Sequence, residues 1–149
     1  MGKTAVIMIG IQASGKSTFS KAEFPEYVRI NLDTLKTRHR EKQLLEQCIQ
    51  EGQSFVVDNT NPTREERARY IPLAKAAGYR VVGYFMESKV RPCMERNERR
   101  EDAARVPVTA IAATSNKLEM PRYEEGFDAL YFVGTAEGTT TISPWREER

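Results

Sequence analysis

Gly10-Ile11-Gln12-Ala13-Ser14-Gly15-Lys16-Ser17 matches the pattern G-x-x-x-x-G-K-[ST] and begins where the apolar run Thr4–Ile9 ends. Run, glycine turn and following helix signal form one unit with a physical purpose. The glycines let the backbone curl so that successive N–H groups face phosphate oxygens, beside the positive end of the next helix. Gly10, Ala13, Ser14, Gly15, Lys16, Ser17 and Thr18 are therefore the expected nucleotide-binding residues. In such a loop the lysine neutralises the β- and γ-phosphates of ATP, and the hydroxyl of Ser17 is placed to hold Mg²⁺.

Outward from this loop, short apolar runs alternate with amphipathic stretches, the pattern of a parallel sheet sandwiched between helices. The expected class is α/β, a P-loop NTPase of kinase type with a helical lid. Strands are predicted at Thr4–Ile9, Tyr27–Asn31, Ser54–Asp58, Tyr79–Met86 and Ala129–Val133. Several are continuous apolar runs, as suits strands covered on both faces. Helices are predicted over Lys16–Glu23 and Thr34–Gln50, then from a capping box at Thr63 and Glu66 to Gly78 with a kink or break at Pro72. A further helix runs from about Ser88 into the charged stretch Glu95–Arg105, and Pro107 opens another. The polar tail Gly134–Arg149 is assigned no element.

The chain has 149 residues, with 23 Lys and Arg against 21 Asp and Glu, a formal charge of +2. That length suits one domain over residues 1–149, with a lid at about 95–107. The longest uncharged stretch, Thr4–Gly15, is shorter than the ~18–20 apolar residues of a membrane span. Cys48 and Cys93 stand alone, which suits free thiols in the cytoplasm. His39 is the only histidine, so zinc-protease and Ser-His-Asp chemistry fit poorly, and a general base should be a carboxylate.

Two aspartates compete for the acceptor and metal roles. Asp33 and Asp58 each follow a predicted strand, where open α/β sheets bind their ligands. Asp33 also suits a helix N-cap, and Asp58 an Asx turn. Arg96 and Arg100, four apart, would project from one helical face that could close over ATP.

In order along the chain, the P-loop, Asn31-Leu32-Asp33-Thr34-Leu35, Asp58-Asn59-Thr60-Asn61-Pro62, Arg67-Ala68-Arg69-Tyr70 and Arg96-Asn97 through Arg100 to Val106-Pro107 resemble the kinase domain of polynucleotide 5′-hydroxyl kinases. The resemblance spans roughly residues 4–133. It implies that Asp33 is the general base, that Arg100 is a lid arginine touching ATP, and that Asp58 organises the acceptor site with Asn59. Two positions depart from the family: Leu32 stands where it usually has arginine, and Lys36 where the phage enzyme has arginine, which alone grips phosphate bidentately. The D-x-D-G and K-x-D-G strings of the family's phosphatase and ligase partners do not occur in these 149 residues, so a kinase without them is expected.

The expected reaction moves the γ-phosphate of ATP to a hydroxyl, with Asp33, Lys16 and Arg100 catalytic. The acceptor expected first is a nucleic-acid 5′-hydroxyl, because Arg29, Lys36, Arg38 and Arg40 surround Asp33 in sequence, and Lys36 and Arg40 would share a helical face. A small-molecule kinase acting on a sugar, nucleoside or antibiotic, a nucleotide-sugar kinase of the zeta-toxin type, and a slow ATPase binding module are the alternatives.

Overall fold

The computed structural model describes residues 2–101, 104–136 and 139–147. Residues 102 and 103 of the expected lid, and 137, 138, 148 and 149 of the tail, lie outside the described residues. One six-stranded sheet runs in the order β2-β3-β1-β4-β5-β6. Its strands are β1 (Thr4–Ile9), β2 (Val28–Ile30), β3 (Phe55–Val57), β4 (Arg80–Met86), β5 (Ala129–Ala136) and β6 (Thr139–Pro144). The first five pair in parallel, and β6 returns antiparallel along β5.

The apolar runs are continuous because helices cover both faces. Ala5, Ile7 and Ile9 of β1 join Phe55 and Val57 of β3 in one buried cluster, while Val6, Met8 and Val56 point into another. The period-2 alternation of strands divides each run between two cores. The first core packs against α3 (Arg38–Glu51) and α5 (Ile71–Ala76), the second against Phe19 of α1 (Lys16–Glu23). A third, smaller cluster of Ile11, Ala13, Cys93 and Ile111 seats the P-loop against α6 (Val90–Glu98) and α7 (Val108–Lys117).

Local chemistry explains where the helices differ from expectation. The predicted helix Thr34–Gln50 is two: α2 (Leu32–Leu35) closes at Lys36, whose φ of 77° breaks the spiral, and α3 restarts with Thr37 as N-cap, accepting from the Arg40 amide at 3.1 Å. Lys36 and Arg40 therefore do not share a helical face. Thr63 caps α4 (Arg64–Arg67) by accepting from the Glu66 amide at 3.1 Å. The chain then leaves the helix at Ala68 and re-enters at Ile71, which places Pro72 in a first turn, where its missing N–H costs nothing. Pro107 is an N-cap rather than a first helical residue. Arg100 lies past the C-cap of α6, so it and Arg96 do not project from one helix.

The tail supplies β6, and its Trp145 is buried against Phe85 and Phe132, with ring centroids 5.0 and 6.3 Å away. Among the described residues no helix is long and apolar enough to cross a membrane.

Candidate active site

The order β2-β3-β1 sends the carboxyl ends of three strands to one place. The P-loop leaves β1 there, Asp58 follows β3, and Asn31 with Asp33 follows β2. Gly10 starts the loop with no room for a side chain: a Cβ would sit 2.8 Å from Ser14 Oγ and 3.1 Å from Met86 Cβ. Its N–H donates to Thr60 O at 3.0 Å, and the Ile11 amide donates to Ser88 Oγ at 3.1 Å, which ties the loop to the turn after β3 and the end of β4. Gly15 adopts φ 99°, a left-handed value that glycine accepts without strain, and Ala13 takes φ 62°. The first amides of α1 have no intrahelical acceptor, which leaves them for an anion.

The loop opens on a cleft of about 310 Å³, lined by Gln12, Ala13, Gly15, Lys16, Ser17, Thr18, Asn31, Leu32, Asp33, Asp58, Asn59, Thr60, Arg100, Ala104 and Val106. Most sequence-predicted residues meet on this wall. Gly10 and Ser14 shape the loop from beneath, and Arg96 is held under it, donating to Ala13 O at 2.9 Å. Lys36 and Arg40 do not line the cleft.

Lys16 is buried and donates to Ile11 O at 2.8 Å. Burial lowers its pKa to about 8, and Asp58, the next largest influence, pulls it back up. Asp58, also buried, accepts three hydrogen bonds on Oδ2: from Arg29 Nε at 2.7 Å, Ser17 Oγ at 3.0 Å and Ser20 Oγ at 3.3 Å. Arg29 also donates to Ser17 Oγ at 3.0 Å, so a cationic side chain already sits beside the hydroxyl and carboxylate. Both are hard oxygen donors of the kind Mg²⁺ takes. Asp58 thus stands beside the Ser17 hydroxyl at the foot of α1.

Asp33 is exposed in the first turn of α2 and has no hydrogen-bond or ion-pair partner among the described residues. The N-cap is Asn31, which accepts from the Thr34 amide at 3.1 Å and donates to Asp58 O at 2.6 Å. Capping by Asn31 leaves the Asp33 carboxylate unengaged. Asn59 accepts from the Leu32 amide at 2.9 Å and so holds the turn that presents Asp33. Asn97 of α6 donates to Val106 O at 2.8 Å and accepts from the Val106 amide at 3.0 Å, which ties the end of α6 to the approach to α7. Arg100 donates to Ala104 O at 3.2 Å.

Sequence reasoning gave Asn31 and Asn97 no role, and it counted Arg29 and Arg38 among the cations around Asp33 that could meet acceptor phosphates. Arg29 instead holds Asp58, and Arg38 is engaged by Glu41 at 2.8 Å and Tyr70 OH at 3.0 Å. The one available signal was Asn31 three residues before Thr34, a capping spacing.

A model of the AAA domain family matches residues 6–121. The chain belongs to that family. This AAA-family domain is 29% identical over 127 residues to the bifunctional polynucleotide phosphatase/kinase of Schizosaccharomyces pombe, covering 82% of this chain and 31% of that protein. It is 37% identical over 139 residues to a protein of Acanthamoeba polyphaga mimivirus provisionally assigned the same two activities, covering 88% of this chain and 33% of that one. The domain thus spans about a third of the length of these relatives. They bear out the resemblance to polynucleotide kinases read from the motifs. A gluconokinase from Sinorhizobium meliloti 1021 shares the fold, with a TM-score of 0.62 and 20% identity over 90% of this chain and 83% of that one.

Proposed function

We propose that this domain is an ATP-dependent phosphotransferase and that its acceptor is the 5′-hydroxyl of a nucleic acid. The observation that carries the reading is an unengaged carboxylate, Asp33, on the wall of the same cleft as a complete phosphate-binding loop. Phosphoryl transfer needs in-line positioning, charge neutralisation and a base near the attacking hydroxyl. In this reading the amides of residues 13–18 cradle the phosphates of ATP and Lys16 neutralises them. Arg100 meets the transferring phosphoryl group, and Asp33 takes the proton of the acceptor hydroxyl. Ser17 and Asp58 would hold Mg²⁺, which would neutralise charge on the β- and γ-phosphates. The polynucleotide phosphatase/kinase relatives support the choice of acceptor.

A screen of radiolabelled ATP against 5′-hydroxyl oligonucleotides, sugars, nucleosides and water tests it. Label should pass to the oligonucleotide 5′ end. Asp33→Asn should lower kcat by about 10²-fold or more with little change in KM for ATP, as loss of a general base does. Label on a sugar would instead favour a small-molecule kinase, the reading that the gluconokinase of similar length and fold supports. Release of phosphate to water alone would leave a slow ATPase.

A further inference from the structure

A second concavity, of about 370 Å³, lies between α3 and the start of α5, outside the catalytic cleft. Arg38, Lys42 and Arg69 line it together with Leu45, Tyr70 and Leu73. Its chemistry is mixed in a particular way. Leu73 is 50 % exposed, so an apolar face borders the cations. Lys42 and Arg69 are exposed and have neither an ion-pair nor a side-chain hydrogen-bond partner among the described residues.

Glu41, the one carboxylate in the lining, is unavailable to them. It is buried and accepts from Arg38 at 2.8 Å, Asn59 Nδ2 at 2.8 Å and Tyr70 OH at 2.9 Å. The Tyr70 hydroxyl, its pKa pushed up to about 12 by burial and by Glu41, stays protonated and holds its bond. The groove therefore presents two unneutralised cations beside an uncovered apolar side chain, over a floor locked by hydrogen bonds.

We propose that this groove is a second nucleotide subsite, which holds one nucleotide of the acceptor strand behind its 5′ end. The inference rests on the polynucleotide reading above. A nucleotide supplies both features at once, an apolar base face for Leu73 and backbone phosphates for Lys42 and Arg69. An acidic peptide would satisfy the charges and leave Leu73 uncovered.

Asn59 connects the groove to the reaction. Its Nδ2 donates to Glu41 and, at 3.2 Å, to Tyr70 OH, both in the groove lining. Its Oδ1 receives the amide of Leu32, the residue before Asp33, and Asn59 itself lines the catalytic cleft. Asn59 thus bonds to the floor of the groove and lines the cleft, and in this proposal a strand lying in the groove presents its 5′ end toward Asp33. Filling the groove braces the turn that carries the base.

The test compares the parent with Lys42→Gln/Arg69→Gln and with Leu73→Ala, all at exposed positions outside the catalytic cleft. Binding of a fluorescent 5′-hydroxyl octanucleotide is measured by anisotropy across a salt series. Transfer to the octanucleotide and to a nucleoside 3′-monophosphate is measured alongside. The double variant should bind the octanucleotide about tenfold more weakly, with a log–log salt slope shallower by about 1.4, two contacts at ~0.7 each on a single strand. Its kcat/KM for the monophosphate and its KM for ATP should not change. Leu73→Ala should weaken octanucleotide binding several-fold with the slope intact. If the parent binds and phosphorylates the octanucleotide and the double variant does so equally well, the groove assignment is wrong while the polynucleotide reading stands. Equal losses on octanucleotide and monophosphate would also overturn it, because the charges would then act on the catalytic cleft. If the parent labels no oligonucleotide, both fall together.

Discussion

Lys16 is held in a position that costs the free protein and rewards nucleotide binding. Buried and bonded to the Ile11 carbonyl, it has a pKa lowered from 10.5 to about 8, burial being the dominant cause. The folded chain binds this proton less tightly than the unfolded one, so stability rises as pH climbs from about 8 toward 10.5 and the penalty is full below pH 8. At 1.36 kcal/mol per pKa unit the penalty is on the order of 3 kcal/mol. Lys16→Met should therefore make the nucleotide-free protein more stable at pH 7 by about 1–3 kcal/mol in urea denaturation, while abolishing transfer. A triphosphate would raise the pKa again. Binding ATP at pH 8 should then take up roughly half a proton, and affinity should fall as pH rises above 8. Calorimetry in two buffers of different ionisation heat measures the uptake, and its absence would show that Lys16 is already fully protonated. The place of Lys16 on the loop was legible in its motif. Its present partner was not, because a hydrogen bond to its own loop depends on the path of the backbone.

Among the elements, the break between α2 and α3 separates expectation from structure most clearly. Residues 34–50 carry a helical apolar pattern, and Leu45 and Cys48 do face the core. Periodicity cannot register a single residue at positive φ. The φ of 77° at Lys36 ends α2 after one turn, so that Asp33 sits beside the cleft instead of being carried along a long helix. Lys36→Gly removes the Cβ that resists this conformation and should stabilise the fold by up to about 1 kcal/mol in thermal denaturation, with activity retained. A large loss of transfer with unchanged stability would instead make the Lys36 ammonium an acceptor contact. Strand β6 was illegible for a different reason: a polar Thr-rich edge strand has no core-facing alternation to betray it. Its place is set by antiparallel pairing with β5 and by Trp145 behind it.

Across the whole molecule, one buried ion pair ties the far end of the chain to the site. Arg67 is fully buried, and its Nε and Nη2 reach the two carboxylate oxygens of Glu125 at 2.7 and 3.0 Å, while Nη1 donates to Asn61 O at 2.9 Å. Asn61 in turn donates to Met8 O at 2.7 Å, so the pair braces β1 just before the P-loop. Glu125→Gln leaves a buried guanidinium uncompensated and should cost roughly 3–5 kcal/mol, whereas Arg67→Met/Glu125→Met should recover most of the loss, since desolvation offsets much of a buried pair's attraction. Chemical denaturation of the three proteins checks this, and a double variant no more stable than Glu125→Gln alone would show that desolvation does not offset the pair's attraction. The sequence by itself determined the α/β class, five strands, the phosphate loop and Asp33 and Asp58 as carboxylates at the strand ends, where both line the cleft. Each is written in spacings of a few residues, where local geometry obeys general rules. Only the tertiary structure decided that Arg29 clamps Asp58, 29 residues away, that Arg67 pairs with Glu125, 58 residues away, and that Asn59 stands between two concavities. Those partnerships depend on the strand order β2-β3-β1-β4-β5-β6, which brings distant carboxyl ends together and which no local pattern encodes.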